Sequence, residues 1–155
     1  MSTEPLFVRG WKVTGITSAE KFFSVLNEIL PMPVSLCLEG TRIASDVQAL
    51  LKSRAGPASL EISPGTIWPK PSVFHVQATE QFLQQLAALA GKHAEPEVCD
   101  HFHAYCNGQG LMRWYDAFSG DPLLIDESIS EVTVQSFCRK LGVKYSRWRA
   151  PAGRK

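Results

Sequence analysis

Residues 99–116 read CDHFHAYCNGQGLMRWYD and decide the fold. Side chains of a β-strand alternate between its two faces, so His101 and His103 share one face of the strand that begins here. Asn107-Gly108 follows, a pair typical of two-residue hairpin turns because both residues tolerate positive φ. The apolar residues after the turn form a returning strand. The stretch therefore predicts an antiparallel hairpin with two histidines in the middle of its first strand.

On both sides of this hairpin, apolar residues recur at helical or strand spacing. Four segments have the i, i+3, i+4 pattern of helices with one buried face, and strands rich in Val, Leu and Ile alternate with them. The predicted order is β-α-β-α-(β)-β-α, followed by β-β-β-α. We therefore predict an α/β fold tending to α+β, a single domain with four helices and a mixed sheet of about five to six strands. The β-α-β-α front half implies some parallel pairing, and the back half is an antiparallel meander with a final helix.

Length and composition indicate one globular domain. The 155-residue chain is 45% hydrophobic and 20% charged, and its net charge is +1. We place the domain at residues 1–145 and predict a basic, flexible tail at 146–155, because 144–155 contain five basic residues and no acid. Residues 115–137 contain five acids and no lysine or arginine. With so small a net charge, nucleic acid is not expected as the main partner.

Three features of the sequence bear on the compartment. No run of 18 apolar residues indicates a membrane span. The first residues lack the basic and apolar regions of a signal peptide. The four cysteines are spaced too widely for a small disulfide scaffold, so reduced thiols are expected. We therefore expect a cytoplasmic protein that makes no contact with membranes.

The hairpin also predicts which side chains surround the histidines. With Asn107-Gly108 as the turn, His103 lies opposite Met112 and His101 opposite Trp114, whereas with Gly108-Gln109 as the turn they lie opposite Trp114 and Asp116; both registers group the same side chains on one face. One face of the hairpin would then combine two imidazoles with a carboxylate among aromatic and apolar groups. The side chains predicted on this face are His101, His103, Tyr105, Met112, Trp114 and Asp116.

Imidazoles and carboxylates are the groups that bind zinc or transfer protons in many sites. We therefore name His101, His103 and Asp116 as candidate catalytic residues and as candidate ligands of a divalent metal such as zinc. His75, on an earlier strand, is a further candidate ligand. Cys99 cannot join His103 at one ion, because four residues of strand separate them by roughly 13 Å. Two other interpretations stay open: histidines hydrogen-bonded within a packed layer, and a pH-sensitive binding face.

Aromatic and basic residues outside the hairpin indicate binding surfaces. Trp68 lies in a proline-rich loop and is either an exposed anchor for a partner protein or a lid folded onto the core. The segment 147–149 interleaves cations with an aromatic ring, a composition that suits an acidic partner. The acidic stretch 116–131 of a second copy is one such partner, which predicts a homo-oligomer. The candidate binding residues are Trp68, Tyr105, Trp114, Arg147, Trp148 and Arg149.

The chain has none of the common catalytic motifs, such as a P-loop, a dinucleotide fingerprint or His-Glu-x-x-His. Glu39 and Arg42 follow a strand and precede a helix, where open α/β sheets bind ligands, although a solvated loop is the favoured explanation for them. We therefore expect a non-catalytic protein-interaction or accessory module, of inhibitor or immunity type, without a cofactor. The alternative is a small metal-dependent or acid–base hydrolase that uses His101, His103 and Asp116.

Overall fold

A computed structural model describes residues 2–3, by their backbone, and residues 7–151. It confirms the predicted α+β class, the single domain and the four α-helices. No helix in these two ranges is both long and apolar enough to cross a membrane. The strands are β1 (Ser2–Thr3), β2 (Arg9–Thr14), β3 (Val34–Gly40), β4 (Leu60–Glu61), β5 (Ser72–Ala78), β6 (His101–Cys106), β7 (Gln109–Trp114), β8 (Leu123–Asp126) and β9 (Lys144–Arg149). The helices are α1 (Ala19–Val25), α2 (Ser45–Ser53), α3 (Glu80–Ala90) and α4 (Glu131–Leu141).

Seven strands form one sheet in the order β5-β3-β6-β7-β8-β2-β9, and every neighbouring pair in it is antiparallel. The parallel pairing expected of a mixed sheet is therefore not found there, and the strand count is higher than predicted. The reason is that β2 and β3, on either side of α1, are not neighbours. Three strands lie between them, and antiparallel partners occupy both edges of each. In the described ranges, parallel pairing joins only the short strands β1 and β4.

The four helices contribute to the main hydrophobic core, which covers one face of the sheet. Fully buried Phe22 of α1 lies at its centre, where edge-to-face ring contacts add to the effect of apolar burial. These contacts join α1 to β6, to β7 and to α4. The rings around Phe22, with centroids 5.2–6.1 Å away, are those of Phe23, Phe102, Trp114, Phe118 and Phe137.

The β6–β7 hairpin has the predicted turn but a different register. Asn107 and Gly108 have φ of 53° and 76°, as a tight turn requires. Ala104 pairs with Met112 whereas Tyr105 pairs with Gly110, which leaves Leu111 as a β-bulge. One extra residue moves every later side chain of β7 to the other face. The prediction that Met112 and Trp114 share the histidine face was therefore wrong, since both lie on the helix-covered face.

The predicted C-terminal tail begins within ordered structure. Residues 144–149 form β9, which pairs with β2 along its whole length. Aromatic packing stabilises this strand, with Tyr145 against Trp11 at 6.0 Å and Trp148 against Phe7 at 6.1 Å between ring centroids. The structure thus assigns residues 146–149 to the sheet rather than to the predicted flexible tail. Residues 152–155 of that tail lie outside the described part.

Gly10 provides a test of how closely β2 and β8 approach. A Cβ at Gly10 would lie 1.9 Å from the Ile125 carbonyl oxygen, so Gly10→Ala must push the two strands apart. We expect it to lower the free energy of unfolding by about 1–3 kcal/mol, measured by urea denaturation. Gly56→Ala is the matched control, because a Cβ there meets no atom within 4 Å. Equal urea midpoints for the two variants would contradict this account of the strand contact.

Candidate functional site

The sheet face opposite the helices carries the predicted histidines. Cross-strand pairing places His75, Cys37 and His103 in one row across β5, β3 and β6, and Glu39 beside His101 in another. Residues 57–71, which we call the covering segment, lie over this part of the face. His101 and His103 are each only 2% exposed. The histidine face is therefore a packed layer and not an open pocket.

Glu39 holds the covering segment in place. Glu39 is 2% exposed, and its carboxylate accepts hydrogen bonds from the backbone N–H of Gly65, at 3.1 and 3.0 Å to its two oxygens. The N–H of Thr66 donates to the same carboxylate at 2.9 Å. A buried charged group is costly unless hydrogen bonds or an opposite charge satisfy it. Here the loop backbone provides those hydrogen bonds, so Glu39 is neither a ligand-binding residue nor part of a solvated loop.

His101 is fully hydrogen-bonded. The backbone N–H of Asp116 donates to Nδ1 at 2.9 Å, so the neutral ring carries its proton on Nε2 and donates to Thr66 Oγ1 at 2.8 Å. This tautomer follows from the hydrogen-bond network. Gly65 lies close to this ring, and a Cβ at position 65 would come within 2.6 Å of its atoms. Both nitrogens are occupied, and neither is available to a substrate or metal ion.

His103 is buried with different surroundings. Neither ring nitrogen has a hydrogen-bond partner within the described part of the chain. Tyr115 packs edge-on against the ring, with 4.7 Å between centroids. Burial lowers the pKa of His103 to about 3, and electrostatic interactions with His101, Arg113 and His75 add to this effect. The ring is therefore neutral near pH 7.

The remaining members of the predicted metal and catalytic set do not assemble around these histidines. The Asp116 side chain is 65% exposed, and its Oδ1 stays 4.0 Å from His101 Nδ1. His75 Nδ1 is hydrogen-bonded to the Tyr105 hydroxyl at 2.8 Å. In the ranges that the structure describes, no three His, Cys, Asp or Glu side chains are arranged to hold a metal ion. Burial also raises the pKa of the Cys99 thiol, which disfavours a nucleophilic thiolate.

The predicted binding residues divide into buried and exposed groups. Tyr105 and Trp114 are each 1% exposed, and the Trp114 indole donates to the Asp121 carbonyl at 2.8 Å. They belong to the interior. Trp68 is 85% exposed, so it is not a lid over the core. Arg147 and Arg149 are exposed on β9, with half-buried Trp148 between them.

Sequence reasoning missed the residues that anchor the covering segment. Gly65 and Thr66 bind Glu39, and the hydroxyl of Tyr115 donates to the Ser63 carbonyl at 2.9 Å. Residues 63–65 read Ser-Pro-Gly, which signals a turn but not its contact with a distant strand. Beyond this fixed base, the adjacent residue Ile67 is 90% exposed next to Trp68. We call residues 67–68 the apolar tip.

Glu39→Gln tests the anchor. The amide nitrogen of glutamine cannot accept from the N–H of Gly65, and the variant loses the negative charge that strengthens the hydrogen bonds from Gly65 and Thr66. We expect the free energy of unfolding to fall by about 1–3 kcal/mol and the Gly65 and Thr66 amides to exchange faster with deuterium. Exposed Glu61, in β4 of the same segment, gives the control Glu61→Gln. Unchanged amide protection in Glu39→Gln would show that the carboxylate does not hold the loop.

His103→Leu tests the buried imidazole through pH. The unfolded pKa is near 6.5 and the folded pKa about 3, so between these values the unfolded chain binds more protons. Wild-type stability should therefore fall as pH decreases through this window. His103→Leu should remove that part of the slope and be at least as stable at pH 7, since it buries no unpaired nitrogen. Identical pH slopes for His103→Leu and wild type would contradict the prediction.

Comparison of this chain with protein-family models, curated proteins and solved structures found no match. Its function therefore has to be inferred from the geometry of its own residues. That geometry combines a covered histidine layer, in which the ring nitrogens are bonded or buried, with an exposed apolar tip on an anchored loop.

Proposed function

We propose that this chain is a non-catalytic protein-interaction module that inserts the apolar tip, Ile67 and Trp68, into a hydrophobic pocket of a partner protein. The observation that carries the proposal is the exposure of these two side chains, 90% and 85%, beside a base fixed to buried Glu39. An isolated exposed apolar residue is ordinary on protein surfaces. Two large ones together on an anchored loop favour a binding role.

Energetics support the tip as an anchor. Tryptophan is enriched among the few residues that dominate binding energy at protein interfaces, because it buries a large area when it fills a pocket. An apolar group that leaves water contributes about 25 cal/mol for each Å² buried. These gains require a partner, since the tip is exposed to solvent in the structure.

The loop is also organised for binding before a partner arrives. Ordering a flexible loop on association costs conformational entropy, and a loop that is already fixed avoids much of this cost. The Gly65 and Thr66 amides are bonded to Glu39, and the Thr66 hydroxyl to His101. Pro64 and Pro69 restrict the backbone on either side of the tip. The buried Glu39 and His101 thus serve as supports for a binding loop.

This role is compatible with a protein of inhibitor or immunity type, whose apolar tip would fill a cleft of the protein that it binds. We also propose that the protein resides in a reducing compartment such as the cytoplasm. The four cysteines, all of which are thiols and not disulfides, support this location. The described contacts give the hydrolase alternative no support, because His101 has both nitrogens hydrogen-bonded and the Asp116 carboxylate, with a 65% exposed side chain, comes no closer than 4.0 Å to His101 Nδ1.

Trp68→Ala tests the role of the tip, with Val132→Ala as the matched control. Val132 is 75% exposed on α4 and remote from the covering segment. A photo-crosslinking amino acid at position 67, used in the native host, should capture a defined protein. We expect Trp68→Ala to reduce this product about tenfold and Val132→Ala to leave it unchanged.

Both variants should unfold within about 0.5 kcal/mol of wild type, because neither side chain is packed. Crosslinking that persists in Trp68→Ala would overturn the proposal. A large loss of stability in that variant would do so as well, since it would identify Trp68 as part of the core.

A further inference from the structure

The outer edge of β9 is the second surface with a distinctive arrangement. β9 ends the sheet order, so within the described residues no strand lies beyond it. The Ala150 N–H donates to the Val8 carbonyl at 2.7 Å, so the backbone N–H and C=O of residue 150 point toward the side of β2. Along an antiparallel strand, the N–H and C=O groups of successive residues point alternately toward one neighbouring strand and toward the other side. The N–H and C=O groups of Tyr145, Arg147 and Arg149 therefore face outward, where an added strand would bind them.

The side chains on this edge are cationic. Arg147 and Arg149 are two residues apart and lie on the same face of β9. With Arg9 they line a cleft of about 310 Å³ that also includes Trp11 and Trp148. The Arg147 guanidinium stacks over the Trp11 ring, 4.8 Å from its centroid. The edge thus presents two positive groups at the spacing of alternate residues in an extended chain.

Nearby acids leave these cations with capacity for a ligand. Glu131 lies 3.5 Å from Arg147 and Glu127 lies 3.8 Å from Arg9, and both pairs are largely exposed to solvent. Exposed ion pairs contribute little, so an incoming carboxylate can share the arginine. A guanidinium also has five N–H donors, more than one carboxylate uses. Arg149 makes no ion pair with any residue in the described ranges.

We propose that β9 binds an extended acidic segment of a partner protein by antiparallel β-strand addition. Two acidic side chains at alternate positions meet Arg147 and Arg149, and the partner backbone bonds the outward groups of the same residues. Antiparallel pairing matches every other pair in the sheet. This surface extends the proposed interaction role but does not use the apolar tip, so each proposal can fail separately.

A protein segment fits this edge better than the other occupants. A second copy pairing through β9 would bring Arg147 and Arg149 against like charges, which destabilises strand pairing. A nucleic acid would satisfy the cations but offers no strand backbone for the outward N–H and C=O groups. The charge pattern therefore selects an acidic peptide in extended form.

The experiment uses the full chain and fluorescence anisotropy with a labelled, end-capped octapeptide of alternating glutamate and valine. We expect the version with lysine in place of glutamate to bind at least about tenfold more weakly. In the proposed pairing, glutamate N–H groups point toward β9 and valine N–H groups point away. N-methylation of the glutamates should therefore weaken binding about tenfold, whereas N-methylation of the valines should not.

The variant Arg147→Gln/Arg149→Gln should lose about tenfold in affinity, with Arg54→Gln, exposed at the end of α2, as the control. Equal binding of the two N-methylated peptides would overturn strand addition. This comparison uses only the wild-type protein, so it does not depend on the folding of a variant. Sedimentation that shows wild-type dimers broken by the double substitution would assign the edge to a second copy instead. Tighter binding of a single-stranded oligonucleotide than of the peptide would also refute the proposal.

Discussion

The buried carboxylate of Glu39 is the constraint on which this side of the molecule depends. It lies at the end of β3, without solvent, and the backbone N–H groups of Gly65 and Thr66 satisfy it. A carboxylate in this position requires donors, and a loop that provides them cannot move away without exposing an unsatisfied charge. This requirement fixes the covering segment over β3 and β6. The burial of the histidine layer and the position of the apolar tip both follow from it.

Residue types that usually carry chemistry act here as supports. His101 accepts a hydrogen bond from the Asp116 N–H and donates one to the Thr66 hydroxyl. It therefore fixes the loop after β7 and the covering segment to one strand. His103 lies in the same layer as a neutral ring with a lowered pKa and no hydrogen bond to a described residue. The hydrogen bonds of His101 therefore position two loops, whereas His103 contributes a packed ring. The part of the loop beyond these anchors is exposed, and it is one of the two surfaces that we propose for binding.

The two ends of the sheet present different chemistry to partners. Near β3 and β6 the covering segment displays two apolar side chains, whereas β9 displays cations along an open edge. Glu131 of the acidic stretch contacts Arg147 and Tyr145 of β9 in the same chain. This contact helps to align β9 with α4, and it does not require a second copy.

The sequence by itself determined the elements whose signals are local: the α+β class, the four helices and the Asn107-Gly108 turn, each set by spacing or by tolerance of positive φ. It did not reveal the bulge at Leu111, because a register shift depends on which side chains the neighbouring strands bury. It also did not show that residues 146–149 pair with β2. Contacts of β9 with Trp11 and Phe7, which are far away in the chain, stabilise this pairing. Only the tertiary structure brought Glu39 to Gly65, 26 residues later. The partners of a buried carboxylate are selected by three-dimensional proximity, and no local pattern encodes them.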